Sequence, residues 1–136
     1  MQLVRDIMTS TVRTLHRDTI VSDVEKAFLA NKISGAPLVD GSGSMVGFIS
    51  KSDISCFDST GDDPFYSRAH EIANPKVIAT EPSESITQAA QLMPHEHVHH
   101  LVVMDGQNIV GVLSAFDFVR VVATTFGDLP NENMCL

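Results

Sequence analysis

The chain has 136 residues, 43% apolar and 19% charged, enough for a modest core and far from the low-hydrophobicity, high-charge composition of disordered chains. A formal charge of −8, with no run of lysine or arginine, lacks the basic footprint that a nucleic acid or an anionic membrane requires of its partner. No apolar stretch approaches a membrane span, and Met1 to Asp6 carries charges where a signal peptide would be hydrophobic, so the expected setting is the cytoplasm.

Taken in chain order, the elements come in two sets. Ile7 overlies Ile72, Val12 overlies Val77, Val21 overlies Ile86, Ile33 overlies Val98 and Asp40 overlies Asp105, a constant offset of 65 residues. After one loop deletion the offset is 64, which sets Val46-Gly47-Phe48-Ile49-Ser50 and Asp53 over Val110-Gly111-Val112-Leu113-Ser114 and Asp117. The expected organisation is a first repeat over 1–60, a linker over 61–68, a second repeat over 69–127 and a loose tail over 128–136. Two copies are too few for an open solenoid, so the repeats are expected to pack on each other about a pseudo-twofold axis.

Each repeat opens with a short predicted strand, Val12 to Leu15 or Val77 to Thr80. A helix follows. In the first repeat Thr19 is its expected cap, with Val21, Val24, Ala27 and Phe28 facing inward and Glu25 and Lys26 outward. In the second, Ser85 and Gln88 read as a capping box, Ile86, Ala89, Ala90 and Met93 form one stripe, and Pro94 is expected to stop the helix. Two strands come next, Ala36 to Val39 and Met45 to Ser50, joined through Asp40-Gly41-Ser42-Gly43-Ser44; Asp105-Gly106-Gln107-Asn108 serves the second copy. A closing helix starts near Asp53 and near Asp117, the latter carrying Phe118, Val119, Val122 and Ala123 toward Phe126-Gly127. The fold class is α/β, β-α-β-β-α twice, packed as one module. Asp58 to Arg68, rich in Asp, Ser, Gly and Pro, reads as the connection.

Candidate chemistry sits where the third strand of each repeat meets its closing helix. Ser50 and Asp53, repeated as Ser114 and Asp117, put a hydroxyl at the strand end and a carboxylate in the first helical turn, beside unpaired main-chain N–H groups. A phosphate can take the hydroxyl and the amides, and a carboxylate can accept both hydroxyls of a ribose. One such pair reads as ordinary helix capping; two copies in register favour a ligand.

From Val4 to Phe126 the chain resembles a tandem pair of cystathionine-beta-synthase (CBS) domains. The resemblance rests on the Asp6-Ile7-Met8 opening, the Gly35-Ala36-Pro37-Leu38-Val39-Asp40 strand and the Val46-Gly47-Phe48-Ile49-Ser50 strand followed by Asp53, with the second copy repeating the pattern. Val102 stands where the family commonly has proline, and Ser where it commonly has Thr. The resemblance implies a non-catalytic regulatory module with no required cofactor, binding an adenosine-type nucleotide (AMP, ADP, ATP or S-adenosylmethionine) in clefts between the repeats. It implies that Ser34, Gly35, Ala36, Ser50 and Asp53 line one cleft, that His99, His100, Leu101, Ser114 and Asp117 line the other, and that Thr14 and Ala79 add main-chain contacts. It also implies a homodimer serving a regulated protein that the chain does not identify.

Three rivals stand beside this reading. His95-Glu96-His97-Val98-His99-His100 invites a metal, but a helix end followed by a strand spreads these imidazoles along one ridge without a completing ligand, so no metal site is expected. Cys56 and Cys135 lie far apart and are expected as free thiols. A hydrolase would need a Gly-x-Ser-x-Gly elbow or a Cys-His pair, neither of which occurs in the chain, or an HExxH motif carried on a helix; His95-Glu96-His97-Val98-His99 has that spacing but follows Pro94, where the helix is expected to stop. The third rival is a purely structural, dimerising module with empty clefts.

Overall fold

The computed structural model describes residues 2–126; the expected tail, Cys135 within it, and Gly127 lie outside the described residues. In chain order the elements are α1 (Val4–Ile7), β1 (Leu15–His16), α2 (Val21–Asn31), β2 (Gly35–Val39), β3 (Met45–Ser50), α3 (Lys51–Asp58), α4 (Ala69–Ile72), β4 (Ala79–Thr80), α5 (Ile86–Glu96), β5 (His100–Asp105), β6 (Asn108–Ser114) and α6 (Ala115–Phe126). The β-α-β-β-α order is observed in both copies, each preceded by a single helical turn, α1 or α4, that the periodicity does not announce. Two three-stranded sheets result, ordered β1-β2-β3 and β4-β5-β6.

The opening strand is shorter than expected. It pairs in parallel with β2 only at Leu15↔Leu38 and His16↔Val39, so Val12 to Thr14 form no ladder. β2 and β3 form an antiparallel hairpin with Gly35 opposite Ser50, and β5 and β6 another with His100 opposite Ser114. Asp40 holds the first turn together. Its Oδ1 accepts the Ser42 amide and hydroxyl and the Ser44 amide, and these bonds, those from Ser42 foremost, hold its carboxyl below the usual carboxylate range. Gly106 takes a positive φ of 62° in the tighter second turn, a conformation costly for any residue with a Cβ.

Helices α2 and α5 turn the expected stripes inward, although Ala27, Ile86 and Ala90 are only half-buried and α5 buries Ala89 and Met93 alone. Val21, Val24 and Phe28 are buried, and Val24 and Phe28 share a core with Ala36, Leu38, Ile49, Ile54 and Ala69. On the opposite side Lys26 is exposed, while Glu25 is half-buried; that burial, and then the Asp58 carboxylate at the end of α3, raises its pKa above the ordinary carboxylate value.

Two expected helix boundaries are corrected. Thr19 does not cap α2: Ile20 occupies the N-cap without a side-chain bond, and the first amides of the helix are met by main chain, Val21 N–H donating to the Ser67 carbonyl at 2.9 Å and Ser22 N–H to that of Pro64 at 3.0 Å. Part of the polar connecting segment thus serves as the cap. Pro94 does not stop α5 either; the helix runs on to Glu96 and ends at His97, in the left-handed region at φ 56°. A proline this near the C-terminus sacrifices one bond, while Val98 N–H reaches back to Met93 carbonyl at 3.0 Å and closes a Schellman turn. Lys32 (φ 53°) and the Ile33 N–H to Phe28 carbonyl bond, 3.1 Å, end α2 the same way. Ser85 does cap α5, accepting from Gln88 N–H at 3.2 Å, but the Gln88 side chain lies against Glu84 instead of closing the box.

The chain divides into two compact units, Thr11–Ala79 and the residues up to Ser10 together with those from Thr80 onward. Within the first, the β3 edge is closed by Asn74, whose N–H and carbonyl pair with Phe48 at 3.0 and 2.9 Å. Within the second, Thr9 does the same for Val112 on β6, both bonds 3.0 Å. Each sheet is therefore completed by the segment that opens the other repeat. Glycine makes this approach possible: a Cβ at Gly47 would stand 3.0 Å from the Asn74 carbonyl oxygen, and one at Gly111 would run into Met8 and lie 3.2 Å from the Thr9 oxygen.

Candidate functional site

The last residue of β3 is also the N-cap of α3. Ser50 has extended geometry (φ −123°, ψ 167°), its Oγ accepts Asp53 N–H at 3.3 Å, and Asp53 Oδ2 accepts the Ser50 amide at 2.8 Å and the Ser50 hydroxyl at 3.0 Å. The reciprocal cap satisfies orphan donors at both residues and fixes the carboxylate over the first turn. Both capping bonds fall on Oδ2, and Oδ1 accepts nothing among the described residues.

Main-chain pairing brings the strand before it to the same place. Lys51 N–H donates to the Ser34 carbonyl at 2.9 Å, and Gly35 pairs with Ser50, so Ser34, Gly35, Ser50 and Asp53 cluster at one end of the β2-β3 hairpin, with the exposed Lys51 beside them. Ala36 lies one step further in, wholly buried in the core. Thr14 is exposed, one residue before β1.

The second copy repeats the frame. Ala115 N–H donates to the His99 carbonyl at 2.9 Å, His100 pairs with Ser114, and Asp117 Oδ2 accepts the Ser114 amide at 2.8 Å and the hydroxyl at 3.3 Å. Leu101, like Ala36, is wholly buried, and Ala79 is exposed on β4. His97 and His99 border a depression of about 620 Å³ whose lining includes Met93, Val98, Ala115 and Phe118. Among the described residues no group of three or more His, Cys, Asp or Glu side chains converges as a metal would require. Cys56 is an exposed free thiol.

One participant escaped the sequence reading. Arg120 donates from Nη2 to Asp117 Oδ1, so both oxygens of that carboxylate are engaged, and its guanidinium lies 5.6 Å from the centre of the Phe116 ring. The signal was available as an Asp–Arg pair three apart on one helix, the spacing at which side chains meet. In the first copy the same step from Asp53 reaches Cys56.

Residues 4–57 and 69–124 each match the family model of the CBS domain. The chain belongs to the CBS domain family. Its fold is that of solved CBS pairs. It superposes on a signal-transduction protein with CBS domains from Burkholderia ambifaria with a TM-score of 0.85 at 26% identity, covering 92% of this chain and 96% of that one. Two structures of the CBS domain pair of protein MJ0100, in complex with 5′-methylthioadenosine and S-adenosyl-L-methionine, give TM-scores of 0.83 and 0.80 at 24% and 25% identity, covering 91% and 88% of this chain and 98% of theirs. Protein MJ1426 of Methanocaldococcus jannaschii is 26% identical over 87% of this chain and 89% of its own length. The CBS pair spans only 40% and 43% of two other curated relatives it matches. Among its described residues no helix is long and apolar enough to cross a membrane.

Proposed function

We propose that this CBS pair is a regulatory module that binds an adenosine-type nucleotide where a third strand meets its closing helix through a Ser-x-x-Asp motif. The observation that carries the reading is the first junction, where Asp53 holds one oxygen in the helix cap and leaves the other open, on a hairpin end that Ser34, Gly35 and the exposed Lys51 share. A ribose supplies two O–H donors for such an acceptor, and a phosphate suits a lysine ammonium such as that of Lys51. The adenosyl ligands of the MJ0100 pair, a protein of the same fold, support the choice of ligand class. Ligand binding acts by favouring one conformation, which a regulated protein then reads.

A thermal-shift series with AMP, ADP, ATP, S-adenosylmethionine and NADH tests this. A ligand that prefers the native state raises its stability by about 2.7 kcal/mol at a hundred times its dissociation constant, so at least one adenosine compound is expected to raise the melting temperature by several degrees. A series without any shift would leave the empty structural module as the better reading.

The module is proposed to work as a homodimer. Phe116, Val119, Val122 and Phe126 of α6 are 46–80% exposed, a contiguous apolar strip on one helix, and burying it against a second copy removes it from water. Sedimentation at tens of micromolar protein is expected to give a dimer, and aspartate at Val119 and Val122 to give a monomer; a wild-type monomer would overturn the assignment.

A further inference from the structure

The two junctions share a frame and differ in one side chain. Asp117 is only 3% exposed, its Oδ2 is taken by Ser114 and its Oδ1 by Arg120, whereas Asp53 is half-buried with Oδ1 open and Cys56 in place of the arginine. Lys51 next to the first motif is replaced by Ala115 next to the second. We propose that the motifs are unequal: Arg120 shuts the Asp117 carboxylate against a vicinal diol, and the Ser50–Asp53 motif alone receives the ribose of an adenosine ligand.

The chemistry follows from what a diol can offer. Its two O–H groups are neutral donors, and an incoming ribose would have to displace a guanidinium that brings to the carboxylate a full opposite charge as well as its hydrogen bond. A buried carboxylate that loses its counter-ion is left uncompensated, which adds to the cost of displacement. Stacking on Phe116 holds the guanidinium over the acid. At Asp53 none of these costs arises.

This inference rests on the adenosine reading above, and its test separates the two. Calorimetry with adenosine and with AMP is run on the wild type, Cys56→Arg, Arg120→Ala, and Arg120→Ala combined with Asp53→Ala, each checked for folding by thermal melting. The wild type is expected to bind one ligand per chain and Arg120→Ala two, with the double variant retaining one. Cys56→Arg, an exposed position that tolerates the longer side chain, is expected to close the first motif and weaken binding about tenfold or more. Two equal sites in the wild type, or one site in Arg120→Ala together with undiminished binding in Cys56→Arg, would overturn the inference while leaving the adenosine reading intact. No binding of either compound by the wild type and by Arg120→Ala would remove the adenosine reading and this inference with it.

Discussion

Asp53→Ala is expected to weaken the binding of adenosine or AMP by about 1.5–3 kcal/mol, roughly ten- to a hundredfold, the usual worth of hydrogen bonds to a charged group. The substitution also removes the acceptor of the Ser50 amide and hydroxyl, so the reciprocal half of the capping box is lost while Ser50 Oγ still accepts the N–H of residue 53, and the ligand-free protein is expected to lose about 1 kcal/mol of stability. These effects have different origins and can be read apart. If the carboxylate served α3 alone, the melting temperature would fall while the affinity measured by calorimetry held. Asp53→Asn sharpens the contrast, because an amide keeps one acceptor oxygen and the shape of the cap but not the charge. Its affinity is expected between those of wild type and Asp53→Ala, and equal affinities in all three would remove Asp53 from the site.

Gly47→Val is expected to destabilise the protein by about 3 kcal/mol, the upper part of the usual cost of overpacking. The atom in the way is main chain. The Asn74 carbonyl, 3.0 Å from a Cβ at Gly47, is bonded to Phe48 N–H at 2.9 Å, so yielding would cost that bond and its reciprocal. Gly111→Ala meets chiefly the flexible end of Met8 and is expected to cost less, about 1 kcal/mol. Urea unfolding of the two variants measures the difference, and a Gly47→Val protein as stable as the wild type would show that the Asn74 segment is not held there.

Much of this architecture was legible because side chains repeat. Ser50 with Asp53 and Ser114 with Asp117 stand out as matched pairs, and the apolar periods of α2 and α5 locate the faces that reach the core. What escaped is work done by the backbone. The cap of α2 is supplied by the carbonyls of Pro64 and Ser67, for which any residues would serve, so Thr19 looked like the better candidate. Pro94 looked like a stop because a missing N–H is visible in the sequence, whereas the bond from Val98 N–H to the Met93 carbonyl beyond it is not. The glycines at 47 and 111 repeat plainly, yet only the fold reveals what they make room for. Arg120 belongs to one copy alone, so a repeat-to-repeat match does not bring it forward, and it marks where the two copies part.

The pairing of Thr9 with Val112 also bears on how the chain is made. During synthesis Thr9 emerges 103 residues before its partner, an interval of about 5–20 s at ordinary elongation rates, while Asn74 follows Phe48 by only 26. The Thr11–Ala79 unit has all its residues in hand while the first ten are still waiting for their sheet. Biosynthesis therefore sets an order: the Thr11–Ala79 unit has its complete sequence before Val112 exists to pair with Thr9, so the bonds that close the β6 edge are expected among the last to form.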